Sequence, residues 1–322
     1  MDAIPAFEVQ RPTTLRAAVD LLAWPGARVL AGGTDLLPNV RRGIARPALL
    51  VELGRIEGID AITLDDDALT IGAGVTLARL ASDPRINAEA AALAEAAQAV
   101  AAPQHRNAAT VGGNLCLDTR CVFYNQSEWW RAANGWCLKH KGDTCHVAPQ
   151  GSRCHAAFSG DLAPALIALG AQVELASTRG VRRLALSGLY RDDGAAHLAL
   201  EPGELVTSVR MPRPAATRSG YRKARVRGSM DFPLAGVAIA LWMDGSRIAC
   251  LRVGLTGTNS HPLALADTEG LVDRHVDAAT LAALGKLVAR QVSPMRTTAT
   301  ASNYRRQVAS VLARRLLVEL AS

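Results

Sequence analysis

The chain has no uninterrupted apolar stretch approaching the roughly 18 residues that a spanning helix needs. Its opening, Met1-Asp2-Ala3-Ile4-Pro5-Ala6-Phe7-Glu8, has no basic segment followed by an apolar run. A soluble, cytoplasmic protein without a membrane partner is expected. The net charge is +7, yet the arginines fall in scattered pairs such as Arg41-Arg42, Arg182-Arg183 and Arg314-Arg315, with no continuous basic stripe. Solvated faces or a subunit interface account for such charge better than nucleic acid does. No two cysteines are separated by two residues, which argues against zinc knuckles. The nearest approach to a G-x-G-x-x-G fingerprint begins at Gly72 and Gly74 but ends on Leu77, which excludes a Rossmann dinucleotide site. There is no internal repeat and no low-complexity segment beyond alanine enrichment.

What is present is material for several cores. At 322 residues, with 49% hydrophobic and 20% charged, the chain is globular and too long for one ordinary core. A helical pattern over Thr13 to Trp24 is followed by Pro25-Gly26, and Arg28 to Ala31 and Ala48 to Val51 read as short strands. This first unit ends near residue 58. A second unit, 59–215, opens with the strand-like Ala68 to Gly74. It continues through an alanine-rich helix from Asn87 to Val100, a helix over Leu162 to Leu169, and strands at Ala171 to Leu175 and Glu204 to Arg210. Pro212-Arg213-Pro214 marks the boundary. In the third unit, 216–322, Arg222 to Arg227 alternates as a strand would. It is followed by apolar Leu234 to Met243, alternating Ile248 to Leu255, and helices around Leu281 and Leu312.

Two glycine pairs stand out. Ala31-Gly32-Gly33-Thr34-Asp35 follows a strand, and Thr110-Val111-Gly112-Gly113-Asn114 follows a loop containing Pro103. Paired glycines let the backbone turn sharply and present successive N–H groups to an anion, so two such turns suit the two phosphates of a dinucleotide. Each pair alone is a weak signal, because glycine's commonest use is to make a tight turn.

Five of the six cysteines, Cys116, Cys121, Cys137, Cys145 and Cys154, fall in one segment, and Cys250 stands apart. In a reducing compartment disulfides are a poor reading, which leaves metal or cluster ligation, catalysis, or buried apolar cysteines. Wide, irregular spacing suits an iron–sulfur cluster better than zinc, with Phe123, Tyr124, Trp129, Trp130 and Trp136 available as an apolar shell or as plain loop packing. One of five cysteines is spare for a four-thiolate cluster. Cys116, two residues after Asn114, is the one too close to the second glycine turn. His140, His146 and His155 remain alternative ligands.

These residues carry a resemblance that spans nearly the whole chain. Leu30-Ala31-Gly32-Gly33-Thr34-Asp35-Leu36, Ile71 to Thr76, Thr110 to Leu115, Asp161 to Leu166, and Asp231 to Ala235 after Lys223 are similar to the FAD-binding medium subunits of the xanthine dehydrogenase and carbon monoxide dehydrogenase family. The resemblance implies an α+β fold: a two-subdomain FAD-binding module of the PCMH, non-Rossmann type, then a sheet-and-helix domain like the CO dehydrogenase flavoprotein C-terminal domain. It also implies FAD contacts at Leu30 to Leu36, Gly74, Thr76, Thr110, Gly112, Gly113 and Asn114. Asp161 would lie near the ribityl–phosphate region, and Lys223 and Asp231 towards the flavin.

The insert from Cys116 to Cys154 departs from most of that family and resembles the one in its 4-hydroxybenzoyl-CoA reductase branch. On that likeness Cys121, Cys137, Cys145 and Cys154 hold a 4Fe-4S cluster. Electrons would then run from the cluster, with ferredoxin as a candidate donor, to FAD, and on to a 2Fe-2S small subunit and a molybdopterin-binding large subunit in a dimer of heterotrimers. There 4-hydroxybenzoyl-CoA would lose its ring hydroxyl. The alternatives are an ordinary hydroxylase subunit, in which electrons flow outward from molybdenum, and a zinc-stabilised nucleic-acid-binding protein, which would leave the glycine pairs unexplained.

Overall fold

Buried β-branched and leucine side chains near the start of the chain build a small parallel sheet. In the computed structural model, which describes residues 4–213, 217–296 and 300–322, strands β1 (Glu8–Gln10), β2 (Ala27–Leu30) and β3 (Leu49–Glu52) lie in the order β1-β3-β2. Parallel neighbours need crossovers, here containing α1 (Leu15–Leu22) and α2 (Leu36–Arg41). The Thr14 hydroxyl accepts from the Ala17 amide at 3.2 Å to cap α1, which buries Ala18, Val19 and Leu22. Strand β2 therefore delivers the chain straight into Ala31-Gly32-Gly33. The expected boundary between residues 215 and 216 lies outside the described residues, as do Met1, Asp2, Ala3 and Pro214.

An antiparallel sheet follows, with strands β4 (Ile62–Leu64), β5 (Ala68–Gly72), β6 (Gln172–Ser177), β7 (Gly180–Ala185) and β8 (Leu205–Pro212) in the order β4-β5-β8-β6-β7. Between β5 and β6 come helices α3 (Leu77–Ser82), α4 (Pro84–Glu89), α5 (Ala91–Gln98), α6 (Pro103–Ala108), α7 (Val111–Leu115), α8 (Glu128–Ala133) and α9 (Leu162–Ala168). The last sheet, in the order β12-β11-β10-β9, consists of β9 (Arg218–Ala224), β10 (Ala235–Asp244), β11 (Arg247–Thr256) and β12 (Leu263–Ala264). It is covered by α10 (Ala278–Gln291) and α11 (Ser302–Ala321).

One apolar core runs from Ala18 to Met211 and takes in Ala238 and Ala240 of β10, whereas Val237, Ile239 and Leu241 of the same strand belong to a second core under α10 and α11. Burial on both faces is why Leu234 to Met243 reads as a continuous apolar run rather than an alternation. Close approach of α9 to β11 depends on Gly254, where a Cβ would lie 2.1 Å from the Pro164 carbonyl oxygen.

Three expectations are corrected. The single helix over Asn87 to Val100 is two helices broken at Ala90, whose backbone (φ −149°, ψ 56°) turns so that Ile86 and Leu93 both reach the core. Alanine propensity is uniform along that stretch, so packing sets the break. The strand expected through Arg227 ends at Ala224, because Asp231 accepts from the Val226 and Arg227 amides, each at 3.1 Å, and closes a turn. The loop around Pro103 is helix α6, with proline in the first turn, where its missing N–H costs nothing.

Candidate functional site

The first glycine pair forms a cradle of unpaired backbone donors. At Gly32 a Cβ would lie 1.8 Å from the Ala108 carbonyl oxygen, so only a hydrogen fits where this loop crosses the end of α6. Gly33 has φ +69°, and a Cβ there would meet Leu37 Cδ1 at 2.8 Å. Among the described residues the amides of Gly32, Gly33, Thr34 and Asp35 have no protein acceptor. Successive free N–H groups in a tight turn suit a phosphate anion.

The second pair is built differently. Gly112 and Gly113 lie inside α7, where the Thr110 hydroxyl accepts from the Gly113 amide at 3.1 Å. The Val111 and Gly112 amides donate to the carbonyls of Val75 and Ala73, at 2.9 and 2.8 Å. These amides are committed, so the expectation that both pairs present successive N–H groups to an anion is corrected for this one. Gly112 allows α7 to dock, since a Cβ would meet Ala73 Cβ at 2.8 Å. At Gly113 a Cβ would have one neighbour, Thr110 Oγ1 at 3.2 Å, leaving an otherwise open face. The Gly32–Ala108 approach, the Thr76–Thr110 bridge and the Ala73–Gly112 contact bring all three motif segments together. Gly74 packs on Ile59, whose carbonyl oxygen would lie 3.0 Å from an added Cβ.

Behind this junction lies a buried polar knot. Asn114 Oδ1 accepts from the Leu162 amide at 3.0 Å, tying α7 to α9. Asp161, preceding α9, accepts from Tyr221 Oη at 2.5 Å and from Lys223 Nζ at 2.9 Å. Burial raises the Asp161 carboxyl, and the Lys223 ammonium opposes that rise. Lys223 also donates to the Ala99 carbonyl at 3.2 Å, so both charges are satisfied within the protein. Asp231 holds the turn described above, and Phe232, next to it, lies under the Arg120 guanidinium at 5.1 Å.

In the insert, Cys121, Cys137, Cys145 and Cys154 line one cavity, whose wall includes Tyr124, Lys139 and His146; Cys116 does not line it. Burial pushes the Cys154 thiol up to about 11, with the Lys139 charge partly opposing it. The Cys116 thiol is pushed up to about 12 by burial alone, as for a small apolar side chain. Left-handed residues bracket Cys137, with Trp136 at φ +64° and Lys141 at φ +63°. His146 Nε2 is held by the Trp136 carbonyl, and its ring lies 5.4 Å from that of Phe123, tilted by 41°. Trp129 turns outward at 77% exposure and does not shield the cavity. Among the described residues no three His, Cys, Asp or Glu side chains converge to hold a single metal ion.

The root of the insert is fastened to the first glycine loop. Asp35 accepts from the Arg120 guanidinium and from the Asp118 amide, the latter at 3.3 Å, and Arg120 immediately precedes Cys121. Sequence reasoning missed Asp118, Arg120, Arg131 and Lys139. A polar residue type inside a cysteine-rich segment does not reveal burial or pairing, so no role was legible for them.

His197 supports the same root by hydrogen bonding to the Leu117 carbonyl at 3.0 Å. Burial lowers its pKa from 6.5 to about 4. As pH falls, the unfolded chain takes up a proton near 6.5 while the folded one does not until about 4. This histidine therefore removes about 3 kcal/mol of stability across that interval and no more below it. Urea unfolding between about pH 7 and pH 4 should show that loss, and His197→Gln should flatten it; an equal slope in the variant would assign the loss elsewhere.

Residues 5–214 match the FAD binding domain in molybdopterin dehydrogenase, and residues 219–320 match the CO dehydrogenase flavoprotein C-terminal domain. The chain is 35% identical to the aldehyde oxidoreductase FAD-binding subunit of Escherichia coli over 80% of its own length and 83% of that protein. It is 30% identical to the carbon monoxide dehydrogenase medium chain of Afipia carboxidovorans over 96% of its own length and 95% of that protein. Its fold superposes on a crystal structure of the Cu,Mo-CO dehydrogenase with a TM-score of 0.82 at 27% identity, covering 99% of each chain. The α+β architecture expected from the sequence, a FAD-binding module followed by a CO dehydrogenase-like C-terminal domain, is the one found.

Proposed function

The chain belongs to the FAD-binding subunits of the molybdenum hydroxylase family, and from that premise we propose that it carries a 4Fe-4S cluster as well as FAD and relays electrons between them. The observation that carries the proposal is the single cavity ringed by Cys121, Cys137, Cys145 and Cys154. A cubane spreads its thiolates around a body of several atoms, so it needs a ring of cysteines rather than convergence on one point. Zinc, at about 2.3 Å from each sulfur, needs that convergence.

When bound, the two groups supply one-electron and two-electron transfer. The residues of this chain bind and position. The free amides of Gly32 to Asp35 are assigned to the FAD diphosphate, with the open face of Gly113 opposite. Leu30, Ala31, Leu36, Gly74, Thr76, Thr110, Gly112 and Asn114 shape the surrounding backbone. Asp161 and Lys223 hold α9 against β9, and Asp231 sets the turn on the flavin side. Phe123 and Tyr124 limit water at the cysteine cavity, while the Asp35–Arg120 ion pair joins cavity and cradle. No group here is assigned to bond making at a substrate. That chemistry belongs to a molybdopterin-binding large subunit, reached through a 2Fe-2S small subunit.

The activities of the relatives, aldehyde oxidoreductase and carbon monoxide dehydrogenase, favour a hydroxylase in which electrons leave the substrate and exit through this chain. The likeness of the insert to that of the 4-hydroxybenzoyl-CoA reductases favours a second reading, in which a donor such as ferredoxin feeds electrons inward and a ring hydroxyl is lost. The test is iron, sulfide, zinc and FAD analysis of the anaerobically purified chain, followed by assay of the complex it co-purifies with. About four irons and one FAD per chain support the proposal. FAD without iron leaves the family assignment and removes the cluster. Flavin bleaching by an aldehyde separates the hydroxylase from a complex that dehydroxylates 4-hydroxybenzoyl-CoA only with a reduced donor.

A further inference from the structure

Arg131, on α8, is among the largest fully buried side chains, at 1% exposure. It makes one hydrogen bond, from Nη2 to the Gly43 carbonyl at 3.3 Å, while its Nε and Nη1 have no partner. No carboxylate pairs with it among the described residues. Its guanidinium stands over the Tyr124 ring at 5.5 Å and the Trp136 ring at 5.9 Å. Tyr124 is a wall of the cysteine cavity, and Trp136 immediately precedes Cys137. A second buried cation stands at the same wall: the Lys139 side chain, 6% exposed, has Nζ 4.6 Å from the Tyr124 ring centroid. Lys139 is neutralised by Asp118 at 2.7 Å; Arg131 is not neutralised.

A buried charge without a counter-charge is costly, and aromatic faces compensate it only in part. The Glu128 carboxylate, one turn earlier on α8, is engaged by Arg46 and Lys141, which leaves the four cysteines of the cavity walled by Tyr124, once they are thiolates, to balance Arg131. We infer that Arg131 is the counter-charge of a four-thiolate iron–sulfur cluster in this cavity and raises that cluster's reduction potential, with Lys139 as a weaker second. The inference rests on the reading of the cavity given above and deepens it. A cubane on four thiolates is a dianion when oxidised and a trianion after one electron enters. A fixed cation in a low-dielectric interior therefore stabilises the reduced form more than the oxidised one. No bond is made or broken, and the electron comes from the titrant.

The test is an EPR-monitored dithionite titration of the full chain, purified anaerobically with FAD, comparing wild type with Arg131→Met, Arg131→Lys and Lys139→Gln. Removing the charge in Arg131→Met is expected to lower the reduction equilibrium constant about tenfold, which for a one-electron couple is about 59 mV, with iron and FAD content unchanged. Arg131→Lys should restore most of the shift, which a purely packing role would not do. Lys139→Gln should shift the potential in the same direction, because it leaves the Asp118 carboxylate unopposed at the cavity wall. Full iron with the wild-type potential in Arg131→Met overturns the inference and leaves the cluster standing. Wild-type protein without iron overturns the cluster reading and the inference together. Should Arg131→Met not fold, Lys139→Gln decides, and an unshifted potential there overturns the role assigned to buried charge.

Discussion

Gly32→Val is expected to purify without FAD and with lowered stability, whereas Gly113→Val should lose less stability and still lose FAD. The contrast follows from what each new Cβ meets. At Gly32 it falls 1.8 Å from the Ala108 carbonyl oxygen and 2.4 Å from its carbon. Both atoms are backbone at the end of α6, so the loop carrying the free amides of residues 32–35 must move as a body. Overpacking of this kind costs about 1–3 kcal/mol or more in stability. At Gly113 the one neighbour of an added Cβ is a side-chain atom, Thr110 Oγ1 at 3.2 Å, which has to give by only a few tenths of an ångström, so the fold loses less than at Gly32 and the main effect is on the approach of a ligand. For both variants a rise in the FAD dissociation constant of about a hundredfold or more, roughly 3 kcal/mol, is expected. Flavin absorbance per chain and thermal unfolding check the two effects separately. Full FAD occupancy in Gly113→Val would remove α7 from the flavin site; full occupancy in Gly32→Val would remove the glycine cradle.

Cys137→Ser should abolish or alter the cluster signal, and Cys116→Ser should leave it. Cys137 lies on the cavity with its backbone tightly held. Its carbonyl accepts from the His140 and Gly142 amides at 2.8 and 3.1 Å, and a Cβ on Gly142 would meet the Cys137 nitrogen at 2.8 Å. Serine there has the same shape but is a far poorer ligand than a thiolate for iron. Cys116 lies off the cavity, where a hydroxyl costs about 1–3 kcal/mol if it finds no partner. Iron and sulfide content with the EPR spectrum read the outcome. Full iron in Cys137→Ser, or its loss in Cys116→Ser, would overturn the ligand assignment.

Much of the fold was legible because the relevant forces are local. Strand β2 feeding Gly32-Gly33, the doubly buried β10, the alternating β11 and the two closing helices all announce themselves through period and punctuation. The break at Ala90 was not legible, since alanine favours helix equally on either side of it and the decision lies with Ile86 and Leu93 reaching one core. Short helices such as α6 and α7 were missed because five or six residues carry too little periodicity to register.

The same division runs through the sites. Residue type and clustering by themselves set out the glycine pairs, the five neighbouring cysteines and the absence of a Rossmann fingerprint, because those depend only on what each residue is. Tertiary structure alone decided that the amides of Gly32 to Asp35 stay free while those of Val111 and Gly112 are committed to the Ala73–Val75 turn. It also decided that Asp35 grips Arg120, and that Arg131 is buried without a carboxylate. Hydrogen-bond satisfaction and charge compensation are properties of neighbours brought together across more than 80 positions of chain, and no local pattern in the sequence encodes who those neighbours will be.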